Sequence, residues 1–266
     1  MRVAAACLLA MIFACAAAAQ QRIAPSSRDE QKLDAILDQA RARLAEYAHL
    51  LPNILCSEQG DSRAYHGDRL KKNVRFTAQV RMIHGPLPKQ PDRVAEDATI
   101  LTENGKQAGR KPKPLPLNLV GIFTNQDPAV LPIPKDCISY RLLPSAPGTI
   151  RIERWIHPLK PEFAATCASN PDMYMGERVE ITLDAQTMQM IALERPVQPR
   201  RDLRQGWEIG FRYVYAVQDM DGRHALLPVS VHAETRNPQT NWRATFDASF
   251  SDYHVYGSTA TILPAQ

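Results

Sequence analysis

The chain has little of what usually betrays a catalytic or nucleic-acid-binding protein. Aromatic residues fill 7% of its 266 positions, and the 12 glycines include no glycine-rich loop able to cradle a phosphate. Its five cysteines form no C-x-x-C pair and none has a neighbouring histidine, which leaves no signature for thiol redox chemistry. Thirty-two basic against 28 acidic side chains give a formal charge of only +4, too mild a surplus to draw the chain to nucleic acid. The apolar run that opens the sequence, from Val3 to Ala14, is shorter than the roughly 20 residues a membrane helix requires.

That run has another meaning. Arg2 precedes it, and Cys15-Ala16-Ala17-Ala18-Ala19 follows as a small-residue exit, which is the pattern of a bacterial-type secretory signal peptide cut after Ala19. The expectation is a periplasmic or secreted protein starting at Gln20. Ile12-Phe13-Ala14-Cys15 offers a rival reading, a membrane-anchored lipoprotein whose first residue is a lipidated Cys15, although Phe13 is an awkward fit to a lipobox. In an oxidising compartment Cys56, Cys137 and Cys167 would supply one disulfide and one free thiol, with all three pairings open.

Proline, at 21 residues, and repeated alternation of apolar and polar side chains favour strands over a helical bundle. Ser27-Arg28-Asp29-Glu30 reads as a capping box. Leu33, Ile36, Leu37, Ala40, Leu44, Tyr47, Ala48 and Leu51 follow it at helical spacing, up to Pro52. Beyond the helix, Val74–Met82, Ile138–Leu142, Ile150–Ile156, Val179–Leu183, Met188–Ala192, Trp207–Val217, 224–235 and a segment from Phe246 alternate as strands. Asn104-Gly105 and Asp221-Gly222 suit tight hairpin turns. Six prolines between 110 and 136 bar a central strand there and mark an insertion, and 157–176 and 195–206 read as loops. With no linker or repeat, residues 20–266 are expected to form a single domain.

Chemistry is hard to find in this pattern. The seven histidines show no H-x-H, H-x-x-x-H or H-E-x-x-H spacing, so no metal site is expected. There is no G-x-S-x-G elbow, no S-x-x-K pair, and Asp219-Met220-Asp221-Gly222 is far too short for a calcium loop. The sequence therefore leans away from an enzyme, and no cofactor is expected. Arg69-Leu70-Lys71-Lys72, Arg110-Lys111-Pro112-Lys113 and Arg200-Arg201 with Arg204 could meet anionic headgroups at a membrane surface, or simply form a solvated rim.

More suggestive are the apolar faces of the strands, which outnumber what one helix can cover. Phe76, Val80, Met82, Ile181, Met188, Met190, Phe211 and Tyr213 are the candidate ligand-binding residues, the methionines because flexible thioethers adapt to varied acyl shapes.

Leu51-Pro52-Asn53-Ile54-Leu55-Cys56 after the helix and the hairpin segment Tyr174–Asp184 with Thr187 resemble the lipoprotein-carrier (LolA-like) superfamily, as do Leu227-Pro228-Val229 and Phe250-Ser251-Asp252-Tyr253. In element order the resemblance spans roughly residues 28–263. It implies an α+β fold, with a long N-terminal amphipathic helix packed on a curved antiparallel sheet, a half-barrel that holds acyl chains or lipoproteins. The expected partner is then a hydrophobic ligand or lipidated protein. A closed-core module for protein–protein interaction, and a hydrolase whose site is assembled from distant residues, are the two alternatives.

Overall fold

Alternating side chains resolve into strands that join one antiparallel sheet. The computed structural model describes residues 27–50, 53–84, 94–108, 138–156, 177–199 and 206–255. The expected signal peptide with Cys15, the expected proline-rich insertion, the expected 157–176 loop, Cys137 and Cys167 lie outside the described residues.

Helix α1 (Ser27–Leu50) comes first. Ile36, Leu37, Ala40 and Leu44 are buried along it at the expected spacing, while Leu33 is half-buried. The strands are β1 (Ile54–His66), β2 (Arg69–His84), β3 (Val94–Glu103), β4 (Lys106–Gln107), β5 (Ile138–Leu143) and β6 (Thr149–Ile156), followed by β7 (Arg178–Asp184), β8 (Met190–Pro199), β9 (Glu208–Met220), β10 (Arg223–Asn237) and β11 (Trp242–Val255). The sheet is open, in the order β4-β3-β2-β1-β11-β10-β9-β8-β7-β6-β5. From β1 the chain meanders to the β4 edge, resumes at the far edge with β5, and meanders back until β11 pairs with β1. First and last strands therefore meet inside the sheet, with Ile54 opposite Val255 and His66 opposite Trp242.

Turn chemistry explains the hairpins. Asn104-Gly105 and Asp221-Gly222 both carry two consecutive positive φ angles, as the type I′ turn requires. Between β7 and β8, Asp184 Oδ1 accepts hydrogen bonds from the backbone N–H groups of Gln186 and Thr187 and from the Thr187 hydroxyl. Met188 then turns back with φ 58 and donates its N–H to the Asp184 carbonyl. The strand expected to begin at Met188 thus starts at Met190, and Met188 belongs to the turn.

Three further differences from the sequence reading matter. Residues 54–66, not read as a strand, form a central one. The exposed Arg69–Lys72 cluster opens β2, and 195–199, expected as loop, continue β8. Two bulges then set the phase of inward side chains. One near Val229 in β10 accommodates Pro228, which has no N–H to give a ladder. The other, at Asp252 in β11 (φ 54), brings Tyr253 inward after Phe250, and its hydroxyl donates to the Pro228 carbonyl.

Candidate ligand-binding face

Because side chains alternate across a sheet, register decides which residues share a face. Successive cross-strand partners run Ile152, Ile181, Leu193, Tyr213, Val231, Ala248, Gly60 and Phe76, one row crossing eight strands from β6 to β2. Apart from Gly60 every member is apolar or aromatic. Of the candidate residues, Phe76, Ile181 and Tyr213 stand directly in this row.

Phe76, Val80 and Met82 are fully buried with Cys56, Val231 and Phe246, and Phe211 and Tyr213 pack against that cluster. The Phe211 and Tyr213 rings stack with centroids 4.5 Å apart. Burial pushes the Tyr213 phenol up to about 12, against the pull of the nearby Arg195 charge. Ile181 and Met190 are equally buried but sit in β7 and β8, outside this cluster. Met188 is the one candidate that no strand carries.

Gly60 has a steric reason to lack a side chain. A Cβ built there would lie 2.2 Å from the Phe76 ring, so the ring fills the space a side chain would take.

The face also holds buried charge. Arg154 and Arg195 are 0% and 3% exposed, and Glu177, immediately before β7, is 8% exposed. Arg154 Nη2 donates to Glu177 Oε2 at 3.1 Å, and Arg195 Nε lies 2.9 Å from Glu177 Oε1. Glu58 of β1 is buried as completely as Arg154. Sequence reasoning passed over all four. Its signal was nonetheless present, since Arg154 occupies an inward position in the alternation Ile150, Ile152, Arg154, Ile156.

On the opposite face, one residue out of register, the partners are Arg75, Asp61, Asp247, His232, Arg212, Glu194, Glu180, Glu153 and Arg141. This charged row crosses nine strands. Of its acids, Asp61 binds Arg63 at 2.7 Å, Glu153 binds Arg141 at 2.7 Å, and Glu180 pairs with Arg151. The Arg63 hydrogen bond holds the Asp61 carboxyl below the usual carboxylate range. A groove of about 930 Å³ crosses this face from β3 to β9, lined by Thr77, Asp61, Ser249, Ser230, His232 and Asp247 among others. Within it His232 Nδ1 and Asp247 Oδ1 are 2.7 Å apart, both about half exposed.

Among the described residues, no three His, Cys, Asp or Glu side chains converge to hold a metal ion, and no helix is long and apolar enough to cross a membrane.

No protein-family model and no curated protein matches the chain. Among solved structures it is similar to a DUF1329 family protein from Desulfovibrio piger, at 9% identity and TM-score 0.40, with 85% of this chain and 94% of that one covered. It is also similar to a LolA superfamily protein from Nitrosomonas europaea, at 13% identity and TM-score 0.33, with 84% and 93% covered.

Proposed function

We propose that the chain is an exported envelope protein that binds or carries a hydrophobic ligand, a lipid, acyl chain or lipoprotein, without catalysis. One observation carries this reading: the apolar row that runs unbroken in register across eight strands of an open sheet. Eleven strands span about 50 Å at roughly 4.8 Å per strand, whereas a helix is only about 10 Å across. Such a face has to be covered by more than α1. In this reading α1 is the long amphipathic helix of a curved half-barrel, residues 20–266 form one domain, and acyl chains insert between the sheet and what covers it. Phe76, Val80, Met82, Ile181, Met190, Phe211 and Tyr213 line the binding face, with Met188 at its margin. Export follows from the signal-peptide pattern, with Cys15 lipidation as the anchored variant.

The test is mass spectrometry of protein purified gently from a bacterial envelope after expression of the full precursor. A native mass exceeding the denatured mass, with the difference extractable into organic solvent, is the expected result. A native mass equal to the denatured mass, persisting after incubation with lipid extract, overturns it. The denatured mass also distinguishes a chain starting at Gln20 from one starting at lipidated Cys15.

A hydrolase is the second reading, and the His232–Asp247 pair in a groove beside Ser230 and Ser249 favours it. It requires that an active-serine probe label the protein and that His232→Ala abolish the labelling.

A further inference from the structure

The apolar face contains a group that packing alone does not account for. Arg154 is 0% exposed, flanked along β6 by Ile152 and Ile156, which are buried as well. Its Nη2 donates to Glu177, but among the described residues Nε and Nη1 have no hydrogen-bond partner. Glu177 divides its single negative charge between Arg154 and Arg195. A buried guanidinium that keeps two N–H directions unsatisfied is costly, because each has been removed from water without replacement. The guanidinium fork also matches an oxyanion: two parallel N–H donors fit the two oxygens of a carboxylate or phosphate.

Position strengthens the match. Arg195 lies directly across from Phe211 in the β8–β9 ladder, and Ile152, next inward residue to Arg154, pairs with Ile181. The cluster therefore stands inside the candidate binding face, with Phe211, Tyr213 and Ile181 around it. An acyl chain lying on those residues would end its polar head within reach of the two guanidiniums.

We infer that Arg154, held by Glu177 with Arg195, is the anchor for an anionic head group, a carboxylate or phosphate, on the acyl ligand. The inference rests on the carrier reading and narrows it from any hydrophobic ligand to an acidic one.

Competition between matched pairs tests it on the full mature chain: oleate against oleyl alcohol, and dioleoyl phosphatidate against dioleoylglycerol, each read by native mass spectrometry. A preference of about tenfold or more for either acid over its neutral partner is expected, and which acid wins identifies the source of the oxyanion. Arg154→Met should erase the preference of each acid over its neutral partner. Equal affinity for acid and neutral partner in the native protein overturns the anchor and leaves the carrier reading standing. Failure of all four to bind overturns both. If Arg154→Met does not fold, the comparison on the unaltered chain still decides.

Discussion

At the scale of single residues, two of the inward positions that break the apolar rule have a structural reason in their neighbours. Gly60 is small because the Phe76 ring occupies the volume of its missing side chain. Gly60→Ala should therefore force the ring out of a closely packed place and cost about 1–3 kcal/mol by overpacking, read as a lower urea midpoint at unchanged slope. Phe76→Leu combined with Gly60→Ala should recover part of that loss, because the two atoms in conflict belong to those side chains alone. Glu177 makes the opposite case, a charge that other charges require. Glu177→Gln leaves Arg154 and Arg195 buried side by side without their shared carboxylate, and about 3–5 kcal/mol of destabilisation is expected. Glu194→Gln is the control, since its contact with Arg212 is 3.8 Å long and both partners are half exposed or more; there a change below about 1 kcal/mol is expected.

Among elements, the legible ones were those whose inward residues are mostly apolar. Ile150–Ile156, Val179–Leu183 and Trp207–Val217 announce themselves by alternation, and the Asn-Gly and Asp-Gly turns by their need for positive φ. Strand β1 was not legible, although it lies at the centre. Its inward positions read Ile54, Cys56, Glu58, Gly60: a buried acid and a glycine where apolar side chains would have given the alternation. Gly60 answers to Phe76 of β2, which a local pattern could not reveal. The same holds for the site, where the apolar candidates were visible in sequence while the Arg154–Glu177–Arg195 cluster needed three strands in register. The β9–β10 hairpin shows how a turn can also tie elements together. Asp221 accepts from His254 Nδ1 and from the Val255 N–H, each at 2.9 Å, fastening the turn to the end of β11. The His254 hydrogen bond, followed by that from Val255, holds the Asp221 carboxyl below its ordinary value. A depressed folded-state pKa stabilises the fold above the unfolded carboxylate range near 4, and that contribution fades as pH falls through the lower folded value. Asp221→Asn should thus be less stable than the parent at pH 6, and the gap should narrow as pH falls below the unfolded carboxylate range near 4, as followed by thermal unfolding.

For the whole molecule, the topology places the end of the described chain at the middle of the sheet. Hairpin β1–β2 joins neighbours in sequence, but the other side of β1 has no partner until β11, nearly two hundred residues later. Until then the central strand presents an open edge, a template for pairing with another chain. The finished sheet ends instead on β4, only two residues long and exposed, which limits edge-to-edge association on that side. Ending the chain after Asn241 tests this arrangement. That truncation removes Phe246, Ala248, Phe250 and Tyr253 from the core and strips both β1 and β10 of a neighbour, splitting one sheet into two. Loss of the cooperative urea transition and aggregation at micromolar concentration are expected, because each fragment exposes an apolar face and a long unpaired edge. Ending the chain after Lys106 would remove far more residues yet keep β1, β2 and β3 contiguous. If both truncations aggregate equally, the β1–β11 seam that both lack, rather than chain length, governs stability. If the longer one, ended at Asn241, unfolds cooperatively near the midpoint of the intact chain, the two meanders are independent and the seam is not what unites them.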